Sequence, residues 1–221
     1  MEDRMSGSIT EVTPRHGQAP STDDETVAAK NFLRNMRSLW RHDPVMAMRV
    51  DAVHDHERLP LERTASGAWT AKTPLSDGRG TYLHSRHDPV VEAKRLIAAV
   101  PTEDKYCYVV GGMGLGYHVQ ALYQSRCATA GDAFIVVTEP SPVVIATAFC
   151  CLDFSDMIAT GRLIIITDGD KSRLHQRLKE YGTLMMLGTH FLRHPPSRPT
   201  RSISRPGARR QGAIAPPGDG G

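Results

Sequence analysis

Four glycines and a carboxylate are the residues of this chain best placed to do chemistry. Tyr106-Cys-Tyr-Val-Val-Gly-Gly-Met-Gly-Leu-Gly-Tyr-His118 joins a β-rich apolar run to Gly111, Gly112, Gly114 and Gly116, and a helix-like stretch follows. A second apolar run, Phe134-Ile-Val-Val-Thr138, ends at Glu139-Pro140. In a strand–loop–helix–strand unit the glycines let a ligand approach the backbone, whose N–H groups can meet an anion or a ribose. An acid ending the next strand can accept hydrogen bonds from a ribose hydroxyl pair. His118 falls in the first helical turn beside the loop, in reach of a ligand phosphate. The competing reading is conformational: a tight turn that needs positive φ angles, with Glu139 a solvated acid at a strand end.

The spacing Gly112-x-Gly114-x-Gly116 is not the dinucleotide G-x-G-x-x-G. It is closer to the first motif of S-adenosylmethionine-dependent methyltransferases. Asp168-Gly169-Asp170 follows a third apolar run on the same expected edge. In a methyltransferase-like site an acid here contacts adenine. As D-x-D it also matches the pattern by which many glycosyltransferases hold a metal and a sugar nucleotide. Helix capping by either aspartate is the commoner role. The cofactor-binding candidates are therefore Gly112, Gly114, Gly116, His118, Glu139, Asp168 and Asp170, for a nucleotide, a nucleotide sugar or S-adenosylmethionine. Thr138 and Ser141 add hydroxyls to the same rim.

His84, Ser85, His87 and Asp88 form a polar knot, which a metal or acid–base site could use. A structured turn with Asp88 as helix cap is the favoured reading, and no metal site is assigned. His54 and His56 flank an acid in a polar loop and are expected to do no chemistry. No Ser/His/Asp nucleophile motif, HExxH helix or P-loop occurs, and no residue is assigned as catalytic.

The elements that must position these groups read as an α/β fold: a Rossmann-like parallel sheet with a preceding helical segment and β-hairpin. Residues 1–20 are polar, aperiodic and expected to be disordered. Residues 21–100 hold helices and the hairpin. Ser21 and Asp43-Pro44 start two helices, Ala68–Thr73 and Gly80–His84 flank the turn signal Ser76-Asp77-Gly78, and Asp88-Pro89 starts a third helix. Residues 101–193 form the α/β unit, with strands at about 106–110, 134–138 and 163–167. Leu184-Met185-Met186-Leu187 is expected to be a fourth strand or edge element. Residues 194–221, rich in Arg, Pro and Gly, are expected to be a disordered tail.

The 221-residue chain carries a net charge of only +3. The excess lies after Phe191, where Arg193, Arg198, Arg201, Arg205, Arg209 and Arg210 face one acid, Asp219. The near-neutral body argues against a nucleic-acid-binding face. Cys107, Cys127, Cys150 and Cys151 lack metal-ligand spacing and imply a reduced, cytoplasmic setting. The most apolar stretch, Phe134–Leu152, is broken by Glu139, Pro140 and Pro142, so no membrane span is expected.

At Leu83-His-Ser-Arg-His-Asp-Pro89, Gly112-Met-Gly-Leu-Gly-Tyr-His118 and Val137-Thr-Glu-Pro140 the sequence resembles the N-terminal domain of the motility accessory factor (Maf) glycosyltransferases and related bacterial proteins. The resemblance spans roughly residues 30–190. In that family a second domain, related to hydroxymethylpterin diphosphokinases, follows and transfers nonulosonic acid sugars to flagellin Ser/Thr. Only the glycine loop and Glu139 map onto the family's pattern, so no catalytic residue carries over.

The resemblance implies a truncated or stand-alone Maf-like module associated with protein glycosylation of the flagellin type. It would bind a small nucleotide-type ligand or a protein partner rather than catalyse transfer. The composition of the tail is also what out-of-frame GC-rich DNA encodes. Two enzymatic readings stay open: a methyltransferase-like protein built on the glycine loop, Glu139 and an Asp168/Asp170 acid, and a metal-dependent nucleotide-sugar glycosyltransferase built on Asp168-x-Asp170.

Overall fold

The computed structural model describes residues 20–74, 80–101, 103–128, 133–167, 175–176 and 178–195. The Ser76-Asp77-Gly78 turn, Asp168 and Asp170 lie outside them. Helix α1 (Thr22–His42) starts at a capping box: the Ser21 side chain accepts the Asp24 N–H, and the Asp24 carboxylate accepts the Ser21 N–H. Asp43 accepts the Met46 N–H and Pro44 fills the first position of α2 (Pro44–Asp51). Asp88 does the same for α3 (Pro89–Ala98), accepting from Val90 and Val91. Each start falls where the hydroxyl or Asp-Pro signal lies.

Three short strands, β1 (Leu61–Arg63), β2 (Trp69–Pro74) and β3 (Gly80–Tyr82), form an antiparallel sheet in that order. The β2–β3 hairpin is the expected one, with Thr73 opposite Thr81. Strand β1 is an addition, because three residues are too few to show a period of two.

The main sheet is parallel. It comprises β4 (Cys107–Gly111), β5 (Phe134–Thr138), β6 (Leu163–Ile166) and β7 (Thr189–Arg193), in the order β6-β5-β4-β7. The fourth strand is not where it was expected. Leu184–Leu187 lies in helix α7 (Gly182–Leu187), and the next five residues pair with β4 from Cys107–Thr189 to Gly111–Arg193. Leucine and methionine are unbranched at Cβ and favour helix, whereas Thr189-His-Phe-Leu-Arg193 brings β-branched and aromatic residues to the sheet.

Helices α4 (Tyr117–Leu122), α5 (Pro142–Cys151) and α6 (Ser155–Ala159) complete the connections, with a π-helical turn at Tyr123–Cys127 closing α4. Alternation along the strands divides the core in two. Tyr108, Val110, Ile135, Val137 and Ile165 face a cluster that includes Met36, Leu39, Phe149 and Phe154. Cys107, Phe134, Val136 and Ile164 face Leu178, Tyr181, Leu184 and Met185. Buried Asn35 locks α1 to the α5–α6 corner: its amide donates to the carbonyls of Phe149 and Leu152 (3.1 and 2.8 Å), and its oxygen accepts the Phe154 N–H. Counted in chain order, the parallel strands run 3-2-1-4. The order reverses between β4 and β7, where open α/β sheets form their ligand crevice at the strands' carboxyl ends.

Candidate functional site

The glycine loop leaves β4 at this reversal point and turns into α4. Gly114 (φ +50°) and Gly116 (φ +89°) adopt left-handed backbone that favours glycine. Both are also sterically constrained. A Cβ on Gly116 would run into the Phe154 ring, and one on Gly114 would lie 2.7 Å from both His84 Nε2 and His194 Cε1. The loop is buried from Gly112 through His118.

Four of its backbone donors are spent inside the chain. The Gly112 N–H donates to the Thr138 carbonyl (2.8 Å) and the Gly116 N–H to the Met113 carbonyl (2.9 Å). The Met113 N–H donates to Glu139 Oε2 (2.9 Å), and the Leu115 N–H to His84 Nε2 (2.9 Å). Glu139, at the end of β5, is only 5% exposed and takes a second bond from the Ser141 N–H to Oε1 (3.1 Å). Burial raises its pKa, and the two backbone donors pull it back down. In this arrangement Glu139 braces the glycine loop to the start of α5.

The histidines are the residues that sequence reading underweighted. His84 turns inward from the β3–α3 connection, His118 from the first turn of α4 and His194 from the residue after β7; they are 3%, 1% and 3% exposed. His118 and His194 stack, with centroids 4.4 Å apart and planes 2° from parallel. The His84 centroid lies 4.6 Å from that of His194. Their outward contacts follow one pattern. His84 Nδ1 lies 3.3 Å from Glu92 Oε2, His118 Nε2 lies 3.0 Å from the Gly112 carbonyl, and His194 hydrogen-bonds the Leu83 backbone. Desolvation lowers all three pKa values, to about 3 for His118 and about 2 for His194, so the trio is neutral at physiological pH.

The rest of the polar knot behaves as a turn. Ser85 Oγ accepts the His87 and Asp88 N–H groups, and Asp88 caps α3. Only His84 leaves the turn for the interior. Tyr117 ties the small sheet to the site: its hydroxyl accepts the Trp69 N–H (2.9 Å) and donates to the Trp69 carbonyl (3.0 Å). The outer rim of the carboxyl edge is more open. Thr138 and Arg193 are exposed, and the Arg193 side chain lies over Gly111, 3.8 Å from where a Cβ would stand. At the end of β6, Arg49 donates to Thr167 Oγ1 (2.7 Å).

The structure thus gathers Gly112, Gly114, Gly116, His118 and Glu139 at one edge, with Asp168 and Asp170 outside the described residues. It adds His84, from the knot, and His194, the first residue of the expected tail. No local signal marks His194 in the sequence, because the strand it follows is set by pairing with β4.

This architecture defines the chain as a Rossmann-like α/β protein carrying an internally braced glycine loop. No known family profile matches it. Over 168 residues it is 28% identical to an uncharacterised protein of Treponema pallidum (strain Nichols), a match covering 74% of this chain and 56% of that protein. Its fold is similar to the structure of a Maf glycosyltransferase from Magnetospirillum magneticum AMB-1, with a TM-score of 0.54 and 14% identity over 77% of this chain and 33% of that one. The chain therefore spans about half the length of the first relative and a third of the second, and the likeness to the second is one of fold. No described helix is long and apolar enough to cross a membrane.

Proposed function

We propose that this chain is a Maf-like module of a protein-glycosylation system that binds a nucleotide-type ligand, with CMP or a CMP-linked sugar the first choice, at the outer rim of the sheet's carboxyl edge. The observation that carries the reading is the Maf-like fold with a glycine loop at the strand-order reversal. The rim supports an anionic, hydroxyl-bearing ligand. It offers the exposed Arg193 guanidinium and the Thr138 hydroxyl. Because four of the deeper loop donors are already used and the loop is buried, the ligand meets the rim first. Each Glu139 oxygen accepts one backbone N–H and keeps a second lone pair for a ribose hydroxyl, but its burial makes the rim the first contact. Binding without transfer is the role proposed for the module.

Calorimetry with CMP, a CMP-linked sugar, S-adenosylmethionine and S-adenosylhomocysteine, each with and without Mg²⁺ or Mn²⁺, tests this. Saturable binding of the cytidine ligands, weakened about tenfold or more in Arg193→Ala, is expected from the loss of one charge-assisted hydrogen bond. Binding of S-adenosylmethionine that disappears in Glu139→Ala would replace this reading with a methyltransferase-like one. Binding of none of the four would remove the ligand from the proposal.

A further inference from the structure

We propose that His84, His118 and His194 form a binding site for a divalent transition-metal ion of the zinc class, set beneath the glycine loop. One ring nitrogen from each histidine lies within 4.8 Å of the other two. Zinc–nitrogen bonds of about 2 Å place tetrahedral ligand nitrogens about 3.4 Å apart, so shifts of side-chain size would close the trio on an ion.

The second observation is a polar atom with nothing to bond. His118 Nε2 is engaged with the Gly112 carbonyl, which leaves Nδ1 as the lone-pair nitrogen. That Nδ1 is fully buried and has no hydrogen-bond partner. Buried polar atoms in native proteins are almost always satisfied, and an orphan beside two further imidazoles points to a missing cation.

The third is the outer shell. A metal-bound histidine characteristically donates its other ring N–H to a carboxylate or a backbone carbonyl, which fixes the tautomer and aims the lone pair at the ion. All three histidines have such a partner: Glu92 for His84, the Gly112 carbonyl for His118 and the Leu83 backbone for His194. Three imidazoles suit zinc, copper, nickel or cobalt and disfavour Mg²⁺ or Ca²⁺.

Gly114 matters here for a reason beyond its φ angle. Any larger residue would fill the space between His84 and His194. One bond must give way, because the Leu115 N–H now donates to His84 Nε2. Capture of the ion by that nitrogen releases the Leu115 amide and so couples metal binding to the glycine loop. The ion would pin three separate segments to one another: the β3–α3 connection, the start of α4 and the end of β7. This inference does not depend on which ligand the rim binds.

The test uses the untagged full chain, stripped with a chelator and titrated with Co²⁺ and then Zn²⁺. One equivalent of Co²⁺ with visible d–d absorption, displaced by Zn²⁺, is expected, together with a shift of the Leu115 amide resonance. His118→Gln keeps a donor toward Gly112 but removes the imidazole. It and His194→Gln are each expected to weaken binding by about a hundredfold or more. Glu92→Gln, at a half-exposed position, is expected to weaken it by about 10- to 100-fold. A stripped protein that is folded by circular dichroism yet binds neither ion overturns the site. So does binding unchanged in both glutamine variants, which would locate the ion elsewhere. If those two variants fail to fold, Glu92→Gln and the Leu115 resonance decide: unchanged affinity and an unmoved amide overturn it.

Discussion

Among the described residues two histidine pairs stack, and they behave as opposites. His54 and His56 stack with centroids 5.6 Å apart and planes 8° from parallel, on an exposed turn where the His54 N–H is capped by Glu57. His118 and His194 stack closer and flatter, but far apart in sequence and beneath a glycine loop. Ring geometry alone does not explain the contrast. Water does: it solvates the exposed pair, whereas the buried one must find every partner within the protein. Sequence proximity brought the first pair together at little energetic consequence. Tertiary convergence brought the second together, and the surrounding loop, carboxylate and hairpin are built to hold it.

The strongest way to break this contrast is to crowd the buried pair. Gly114→Ala and Gly116→Ala each combine backbone strain with overlap, against His84 and His194 in one case and Phe154 in the other. Each is expected to cost about 3–6 kcal/mol, read as a lowered urea midpoint. Next is the brace. Glu139→Ala strands the Met113 and Ser141 N–H groups, an expected loss of about 2–4 kcal/mol by the same measurement.

The third prediction extends the contrast to other buried titratable groups. Burial pushes the Cys107 thiol up to about 11 and the Cys127 thiol up to about 12, from an ordinary value of 9.0. Both should resist iodoacetamide at pH 8 in the native protein and react in denaturant, which mass spectrometry reads directly. The linkage has a definite sign. As pH rises from about 9 toward 11 the unfolded chain loses thiol protons that the folded chain keeps, so stability falls over that window. The smallest effect belongs to the exposed pair: His54→Ala and His56→Ala are expected to move stability by about 0.5 kcal/mol or less. A larger loss there would show that the two pairs are not opposites.

Much of the fold was legible because its signals are local. Ser21, Asp43-Pro44 and Asp88-Pro89 mark helix starts through bonds spanning two or three residues, and all three side chains make them. The runs at 107–111, 134–138 and 163–166 are buried on both faces and read as continuous apolar segments. Illegible elements were those decided by distant partners. Thr189–Arg193 became a strand because β4 had an open edge for it, and Leu61–Arg63 because β2 did. At the site, the sequence identified the loop and Glu139 as neighbours. It could not show that the acid would face the loop's own amides.

By itself, then, the sequence determined the helix caps, the apolar strands and the need for glycine after β4, since each follows from a residue's own stereochemistry and its near neighbours. Only the tertiary structure decided that His84, His118 and His194 meet, that Glu139 is a brace, and that the glycine loop is covered while Arg193 and Thr138 stay open to solvent. The physical reason is desolvation. A side chain's charge state and free lone pairs are set by what packs around it, and that is a property of the fold rather than of residue spacing.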